Sequence, residues 1–465
     1  MPDDNVISDQ RFNGQSVSVT QAEAAVAEAA RGFWTWSRTP APERADLLDA
    51  VAQRLDDYRE DIRELAAQEV GASKAWVDFN VDLAKGFLHQ AIALLPKLET
   101  QTRQGRRDGT THSIERRPAG VVLGFAPWNA PVILSVRAMA TPLLCGNTVV
   151  IKTSDFCPNT HIKVVQAFQD VLPEGVAVSV TSGLEQSQEV AKFLIHHPAV
   201  RRVNFTGSTR VGRFVSEECG RAVKRSLMEL SDVTPMIVLD GADIDAAVSA
   251  AIYSSFFNQG QICMSTERIL VEDRVADEFA DKLVAKLSSV SEKNQLGQGR
   301  LVNTAAANRL QKLVSDATSK GARLLAGGQI DGAVMEPTVL DDIGPTMRLY
   351  SEESFGPVAA LIRCIDAEEA ISIANDTEYG LTASVYGRPD EARAVADRLE
   401  TGICQINGPS VYDDPSLPFG GVKASGFGRF GGEAALDEFT EIRWVADHSG
   451  LTAEEIDNML YKGRT

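Results

Sequence analysis

The segment Asn258-Gln-Gly-Gln-Ile-Cys263-Met-Ser-Thr sets a thiol among glycine and amides rather than among apolar core residues. A thiolate is a strong nucleophile towards a carbonyl carbon, and its adduct needs a nearby base and hydrogen-bond donors for the oxyanion. Glu229, in Met228-Glu-Leu230, has the chemistry of that base, and Asn129, in Pro127-Trp-Asn129, that of a side-chain donor. Each also has a plainer reading taken singly: a buried inert cysteine, a surface charge, a turn residue. The stretch Val203-Asn-Phe-Thr-Gly207-Ser-Thr-Arg-Val-Gly212 reads as strand, glycine turn and helix start. Free backbone N–H groups and the helix dipole at such a turn favour an anion, and a pyrophosphate fits. Its GxxxxG spacing differs from the common dinucleotide GxGxxG and serves equally as a simple chain turn. Lys152 ends another strand-like run, and with Asp155 three residues on it has groups suited to ribose hydroxyls; either is also an ordinary surface charge.

Positioning residues so far apart requires a large scaffold. At 465 residues the chain exceeds what one core usually supports, so two or three domains are expected. Its 44% hydrophobic and 24% charged residues with 6 Cys are those of a soluble globular protein needing no disulfide scaffold. A net charge of −18 repels phosphate backbones and anionic lipid, which argues against nucleic-acid or membrane partners. The acidic opening Met1-Pro-Asp-Asp-Asn lacks the features of a secretory signal, so reduced thiols and a cytoplasmic location are expected. The uncharged run from Pro118 to Val136 is broken by Pro127, Asn129 and Pro131 and reads as a buried strand, a turn and a helix.

Thr20-Gln-Ala-Glu23 has capping-box spacing and predicts a first helix. Leu47, Leu48, Val51, Leu55, Tyr58, Ile62 and Leu65 share one helical face between Glu43 and Val70, closed by Gly71. A basic stretch, with Arg103, Arg106, Arg107, Arg116 and Arg117, predicts an exposed hairpin or subunit arm. Short β-branched runs at Gly120 to Phe125, Thr148 to Lys152, Val176 to Val180 and Arg202 to Phe205 alternate with helical stretches, the pattern of βαβ units. A second alternating region from Met236 to about Gln405 carries candidate strands at Ile269 to Glu272, Val358 to Ile362 and Ser384 to Tyr386.

Taken together, these residues resemble the aldehyde dehydrogenase superfamily in order and spacing. The resemblance spans most of the chain and includes Pro127-Trp-Asn129, Lys152, Phe205-Thr-Gly-Ser208, Glu229-Leu, Gly260-Gln-Ile-Cys263, Glu353-Ser-Phe-Gly-Pro357 and Pro418-Phe-Gly-Gly421. Pro127-Trp-Asn-Ala-Pro-Val-Ile-Leu134, Arg137-Ala, Cys157-Pro, Thr160-His161 and Ile406-Asn-Gly-Pro409 are most similar to aromatic aldehyde dehydrogenases of the salicylaldehyde, vanillin and benzaldehyde type. The resemblance implies an α/β fold: a Rossmann-type coenzyme domain (1–100 and 119–230), an α/β catalytic domain with the nucleophile (231–425) and a small β oligomerisation arm (101–118 and 440–465). A homodimer or homotetramer follows from it. It also implies NAD across the first domain, bordered by Phe125, Trp128, Lys152, Asp155, Gly207, Ser208, Gly212, Leu230, Glu353 and Phe355. Asp155 should repel a 2′-phosphate, which favours NAD over NADP.

By the same resemblance, the Cys263 thiolate adds to the aldehyde, Asn129 holds the oxyanion, and Glu229 activates the water that hydrolyses the resulting thioester. No metal is implied. Leu134, Arg137, Phe257, Ile262, Met264 and Tyr412 become candidates for the aldehyde pocket, with Arg137 donating to a ring substituent and so discriminating 2-hydroxybenzaldehyde from benzaldehyde. Three departures stand out. Ser231-Asp232 follow Leu230 where the family usually has Gly-Gly, placing side chains near the coenzyme and a second acid near Glu229. Phe430 replaces a Glu found in some relatives, and the tail from Val445, ending Met459-Leu-Tyr-Lys-Gly-Arg-Thr465, differs from that of the aromatic subgroup. The alternatives are a dehydrogenase of aliphatic aldehydes or semialdehydes, and a non-catalytic protein that keeps the fold for binding or structure.

Overall fold

The computed structural model describes residues 19–105, 110–292 and 299–462. The acidic opening, Arg106, Arg107 and the final Gly463-Arg-Thr465 lie outside the described residues. The first helix, Val19–Trp36, already contains Thr20, so Thr20 and Glu23 do not box its start; Glu23 instead reaches His197 at 3.2 Å. The single helix expected from Glu43 to Val70 is two, Ala41–Asp57 and Arg59–Val70. They part at Tyr58, whose hydroxyl donates to Asp170 at 2.6 Å. The apolar rhythm runs through the break because Leu48, Val51, Leu55 and Ile62 still bury against one core.

Among the described residues, a six-stranded sheet runs in the order Gly426–Phe427, Arg225–Glu229, Val200–Thr206, Val121–Phe125, Thr148–Lys152, Ala177–Val180. All its pairings are parallel except that of Gly426–Phe427. Its central strands are buried throughout, as helices cover both faces of a parallel sheet. The register places Phe125 beside Lys152 and Phe205, and Thr206 beside Glu229. Asn129, Lys152, Gly207 and Glu229 therefore sit at or just past the carboxyl ends of adjacent strands, where open α/β sheets form ligand crevices, whereas Cys263 comes from the connection ahead of strand Arg268–Glu272.

The second sheet, in the order Arg323–Ala326, Thr338–Asp341, Val358–Cys364, Arg268–Glu272, Pro235–Val238, Thr382–Tyr386, Ile403–Ile406, is parallel but for its first pair. The strands Arg225–Glu229 and Pro235–Val238 escape a reading from β-branched runs because Arg225, Ser226 and Pro235 interrupt them. Gly426–Phe427 returns to the first sheet with Gly426 opposite Glu229, beyond the boundary drawn at 425. A third, antiparallel sheet joins Gln101–Gln104, Thr111–Pro118 and Thr440–Asp447, with Ile442 and Trp444 exposed on it. The divergent tail continues as helix Ala453–Lys462. Among the described residues no helix is long and apolar enough to cross a membrane.

Candidate active site

A cleft of about 670 Å³ opens at the carboxyl edge of the six-stranded sheet, and Asn129, Glu229 and Cys263 all line it. Each comes from a different element. Asn129 lies just ahead of helix Pro131–Leu144, whose proline at the first turn needs no N–H partner. Its carbonyl accepts from Trp76 Nε1 at 2.8 Å and from Asn258 Nδ2 at 3.2 Å, and its side-chain amide donates to the Gln261 carbonyl at 3.0 Å. The donor is thus fixed to the chain two residues before the thiol. Trp76 belongs to helix Lys74–Ala93, far from every motif, and nothing in its local sequence marks it as a support for Asn129.

Cys263 follows three consecutive residues with left-handed backbone, Asn258 (φ 49), Gln259 (φ 56) and Gly260 (φ 65). Strain of this kind persists only where the surroundings enforce it. At Gly260 they do: an added Cβ would lie 2.2 Å from the Gly356 carbonyl oxygen. Burial, reinforced by the facing Glu229 charge, pushes the Cys263 thiol well above its ordinary value. Glu229 is itself raised by burial, an effect that the Arg137 charge opposes, and its Oε1 has no hydrogen-bond partner. The partly buried thiol and the buried carboxylate thus face one another in a setting that disfavours the ionised form of either.

Phe125, Trp128, Lys152, Asp155, Gly207, Ser208, Leu230, Glu353 and Phe355 line the same cleft. The Lys152 ammonium donates to Asp155 Oδ1 at 2.6 Å and to Ser187 at 2.8 Å. Ser208 caps helix Thr209–Arg221 by accepting from Val211 N–H, so the positive end of that helix faces the cleft. The Gly207 N–H is not free for an anion, because it donates to the Glu229 carbonyl at 3.0 Å. Gly212 lies off the cleft. A Cβ there would meet Leu230 Cδ2 at 2.3 Å, so the glycine makes room for Leu230 to reach the lining.

Of the residues expected around an aldehyde, Leu134 lines the cleft, whereas Ile262 and Met264 are buried in the adjoining apolar cluster. Phe257 packs edge-on to Trp76 at 5.1 Å and stacks on Tyr253, and Tyr412 is half exposed away from the lining. Arg137 departs most from expectation. Its side chain is only 3% exposed and pairs with Asp413 at 3.4 Å. Its guanidinium lies over Phe419, Phe430 and Phe87, with centroids 4.4, 5.2 and 5.6 Å away. Phe430, where some relatives have an acid, is thus one wall of a cation cage. In this arrangement the guanidinium faces Asp413 and the three rings, its Nε has no hydrogen-bond partner, and Arg137 is not among the residues that line the cleft. Removing one member of a buried ion pair costs about 3 kcal/mol or more, because the partner charge is stranded. Arg137→Ala is therefore expected to lower the urea midpoint and to reduce kcat/KM equally for 2-hydroxybenzaldehyde and benzaldehyde; a selective loss on the hydroxylated aldehyde would contradict this.

Ser231 lines the cleft, as its place beside Leu230 suggested, whereas Asp232 does not. The Ser231 hydroxyl accepts from Thr209 N–H at 3.3 Å, adding a second cap to the helix that Ser208 begins. The Asp232 carboxylate turns into the second sheet, accepting from Leu381 N–H at 3.2 Å, Thr382 N–H at 3.1 Å and the Thr234 hydroxyl at 2.7 Å. The acid whose charge bears on Glu229 is Asp413, not Asp232. Sequence spacing gave no sign of Asp413, because the fold brings it to Arg137 from 276 residues away.

The profile of the aldehyde dehydrogenase family matches residues 9–445. The chain is 44% identical to the vanillin dehydrogenase of Pseudomonas fluorescens over 94% of its own length and 91% of the relative's. It is 41% identical to the salicylaldehyde dehydrogenase of Pseudomonas sp. (strain C18), covering 95% of this chain and 92% of that one. The crystal structure of a salicylaldehyde dehydrogenase from Pseudomonas putida G7 complexed with salicylaldehyde superposes with a TM-score of 0.90 at 41% identity, over 93% of this chain and 91% of the other. With the thiol, the carboxylate and the amide gathered in one cleft of such a fold, the chain belongs to the aldehyde dehydrogenase family.

Proposed function

We propose that the chain oxidises an aromatic aldehyde, of the salicylaldehyde, vanillin or benzaldehyde kind, to its carboxylic acid with NAD+. By family it is an aldehyde-oxidising oxidoreductase that uses NAD(P); the ring-bearing substrate, the choice of NAD+ and the residue roles are the proposal. The observation that carries it is the convergence of Cys263, Glu229 and Asn129 in a cleft continuous with the Gly207 turn and the Lys152–Asp155 pair. The donor set suits a dinucleotide: a helix N-terminus and Arg210 for phosphates, Lys152, Asp155 and Glu353 for ribose hydroxyls, and the rings of Trp128 and Phe355 as flat walls. The dinucleotide, when bound, supplies the hydride acceptor.

The chain's own residues carry the remaining steps. Glu229 takes the thiol proton, and Cys263 sulfur adds to the carbonyl carbon while the Asn129 amide stabilises the oxyanion. After oxidation the acyl group rests on Cys263 as a thioester. Glu229 gives the thiol proton up to solvent, then takes a proton from the attacking water; as the C–S bond breaks, the proton held by Glu229 passes to the departing sulfur and the carboxylic acid leaves. Similarity to vanillin and salicylaldehyde dehydrogenases supports a ring-bearing substrate, as does the apolar and aromatic packing around Leu134, Trp76 and Phe257. Incubation with NAD+ and a panel of ring-bearing and straight-chain aldehydes, followed by NADH absorbance, tests the proposal; turnover confined to the straight-chain set would refute it.

Asp155 bears on the coenzyme choice, because a largely buried carboxylate in the cleft repels a 2′-phosphate. Asp155→Ala is expected to raise the ratio of kcat/KM for NADP+ over that for NAD+ by about tenfold, roughly the weight of one charge contact. An unchanged ratio would remove Asp155 from coenzyme selection. We further assign the antiparallel sheet that carries exposed Ile442 and Trp444 as the arm of a homodimer or homotetramer.

A further inference from the structure

The loop Glu353-Ser-Phe355 presents two side chains to the cleft, and Phe355 meets Trp128 edge-on at 5.7 Å. Phe355 has φ 46, a left-handed conformation that a bulky side chain rarely adopts, so something must hold the loop. Two groups do so from opposite sides. Arg309 donates to the Glu353 carbonyl at 2.9 Å and to the Ser354 carbonyl. Glu267 accepts from Ser354 N–H at 2.7 Å and from Phe355 N–H at 2.8 Å, one carboxylate oxygen to each amide.

Glu267 is itself fixed. Its N–H donates to the Thr234 carbonyl, and its carbonyl accepts from Ala360 N–H at 2.9 Å, so its backbone is clamped beside the strand Val358–Cys364. It lies four residues beyond Cys263 in the same connection. A buried carboxylate is costly unless fully hydrogen-bonded, and here both oxygens are committed to one loop. Burial and the facing Glu353 raise its pKa above the usual carboxylate range, and burial does the same to Glu353. The two acids thus face one another across the loop, Glu353 on the cleft side and Glu267 buried behind it.

We propose that Glu267 is a positioning residue for the coenzyme: it sets the bearing of the Glu353-Ser-Phe355 loop relative to Cys263 and touches neither substrate nor coenzyme. This rests on reading the cleft as the NAD+ site. Glu267→Gln keeps the shape but replaces one acceptor with an N–H donor, leaving one loop amide facing a donor. The purified full chain and the variant are titrated with NAD+ calorimetrically, and both KM values and kcat are measured. The expected result is wild-type binding of NAD+, with Kd and KM for NAD+ raised about tenfold in the variant and KM for the aldehyde within about twofold, the effect of one unsatisfied buried amide at the coenzyme side. Unchanged NAD+ constants in a folded variant, or equal rises in both KM values, would overturn it. If Glu267→Gln does not fold, Glu267→Asp, which keeps both oxygens but retracts them, is measured by the same criterion; if neither folds, Glu267 is a folding residue and the proposal fails. Wild-type protein that bound no NAD+ would overturn the coenzyme reading along with this one, whereas wild-type binding with an unaffected variant overturns only this one.

Discussion

Cys263→Ala is expected to abolish aldehyde oxidation, with kcat reduced on the order of 10⁴-fold or more, while the variant still binds NAD+. Covalent catalysis depends wholly on the sulfur: without it there is no thiohemiacetal from which the aldehydic hydrogen can leave as hydride and no thioester to hydrolyse. The other five cysteines do not substitute. Cys145, Cys157, Cys219 and Cys364 are buried, and neither they nor Cys404 line the cleft. Single-turnover measurement with excess enzyme and NAD+ distinguishes loss of chemistry from loss of folding; a variant retaining more than a few per cent of the NADH signal would show that Cys263 is not the nucleophile.

Glu229→Gln separates the two halves of the reaction. General-base catalysis typically contributes about 10²- to 10⁴-fold, so steady-state turnover should fall by that range. The amide that replaces the carboxylate can neither take the thiol proton nor activate water. Where solvent base deprotonates the thiol at high pH, acylation should proceed and stall, producing about one equivalent of NADH per site followed by a slow steady state. The pH profile offers a second check. Burial raises the Glu229 carboxyl, so the acid limb of wild-type kcat/KM should lie above the ordinary carboxylate range, with activity lost as the pH falls through it. That limb should vanish in the variant. A Glu229→Gln enzyme with wild-type steady-state rate and an unaltered acid limb would exclude Glu229 as the base.

The residues that meet in the cleft could be singled out because each has a recognisable local setting, a thiol among glycine and amides, a glycine turn after a strand, a lysine at a strand end, though only their combination pointed to one site. Parallel strands were likewise legible where β-branched residues run together, as in Thr148–Lys152, with bounds matching the structure. What stayed hidden acts over long distances. Trp76 supports Asn129 from 53 residues away, and Asp413 reaches Arg137 across 276. Neither separation leaves a periodic trace in the sequence. The cage around Arg137 left no sign either, because an arginine near an aromatic pocket has the same sequence signature with or without Phe87, Phe419 and Phe430 packed about it. Asp232 read as an intrusion because the direction of its side chain depends on the strand Thr382–Tyr386 and the residue before it, which a distant part of the chain supplies.

The short strand Gly426–Phe427 leaves the thiol-bearing half and zips onto the edge of the sheet that ends at Glu229, Gly426 standing opposite that acid. Each half consequently borrows backbone from the other: Glu229 rests on a strand whose outer neighbour is translated roughly two hundred residues later. During synthesis the strand that ends at Glu229 has an open flank until the late segment emerges, so the meeting of Glu229 with Cys263 belongs to the completed polypeptide rather than to either lobe.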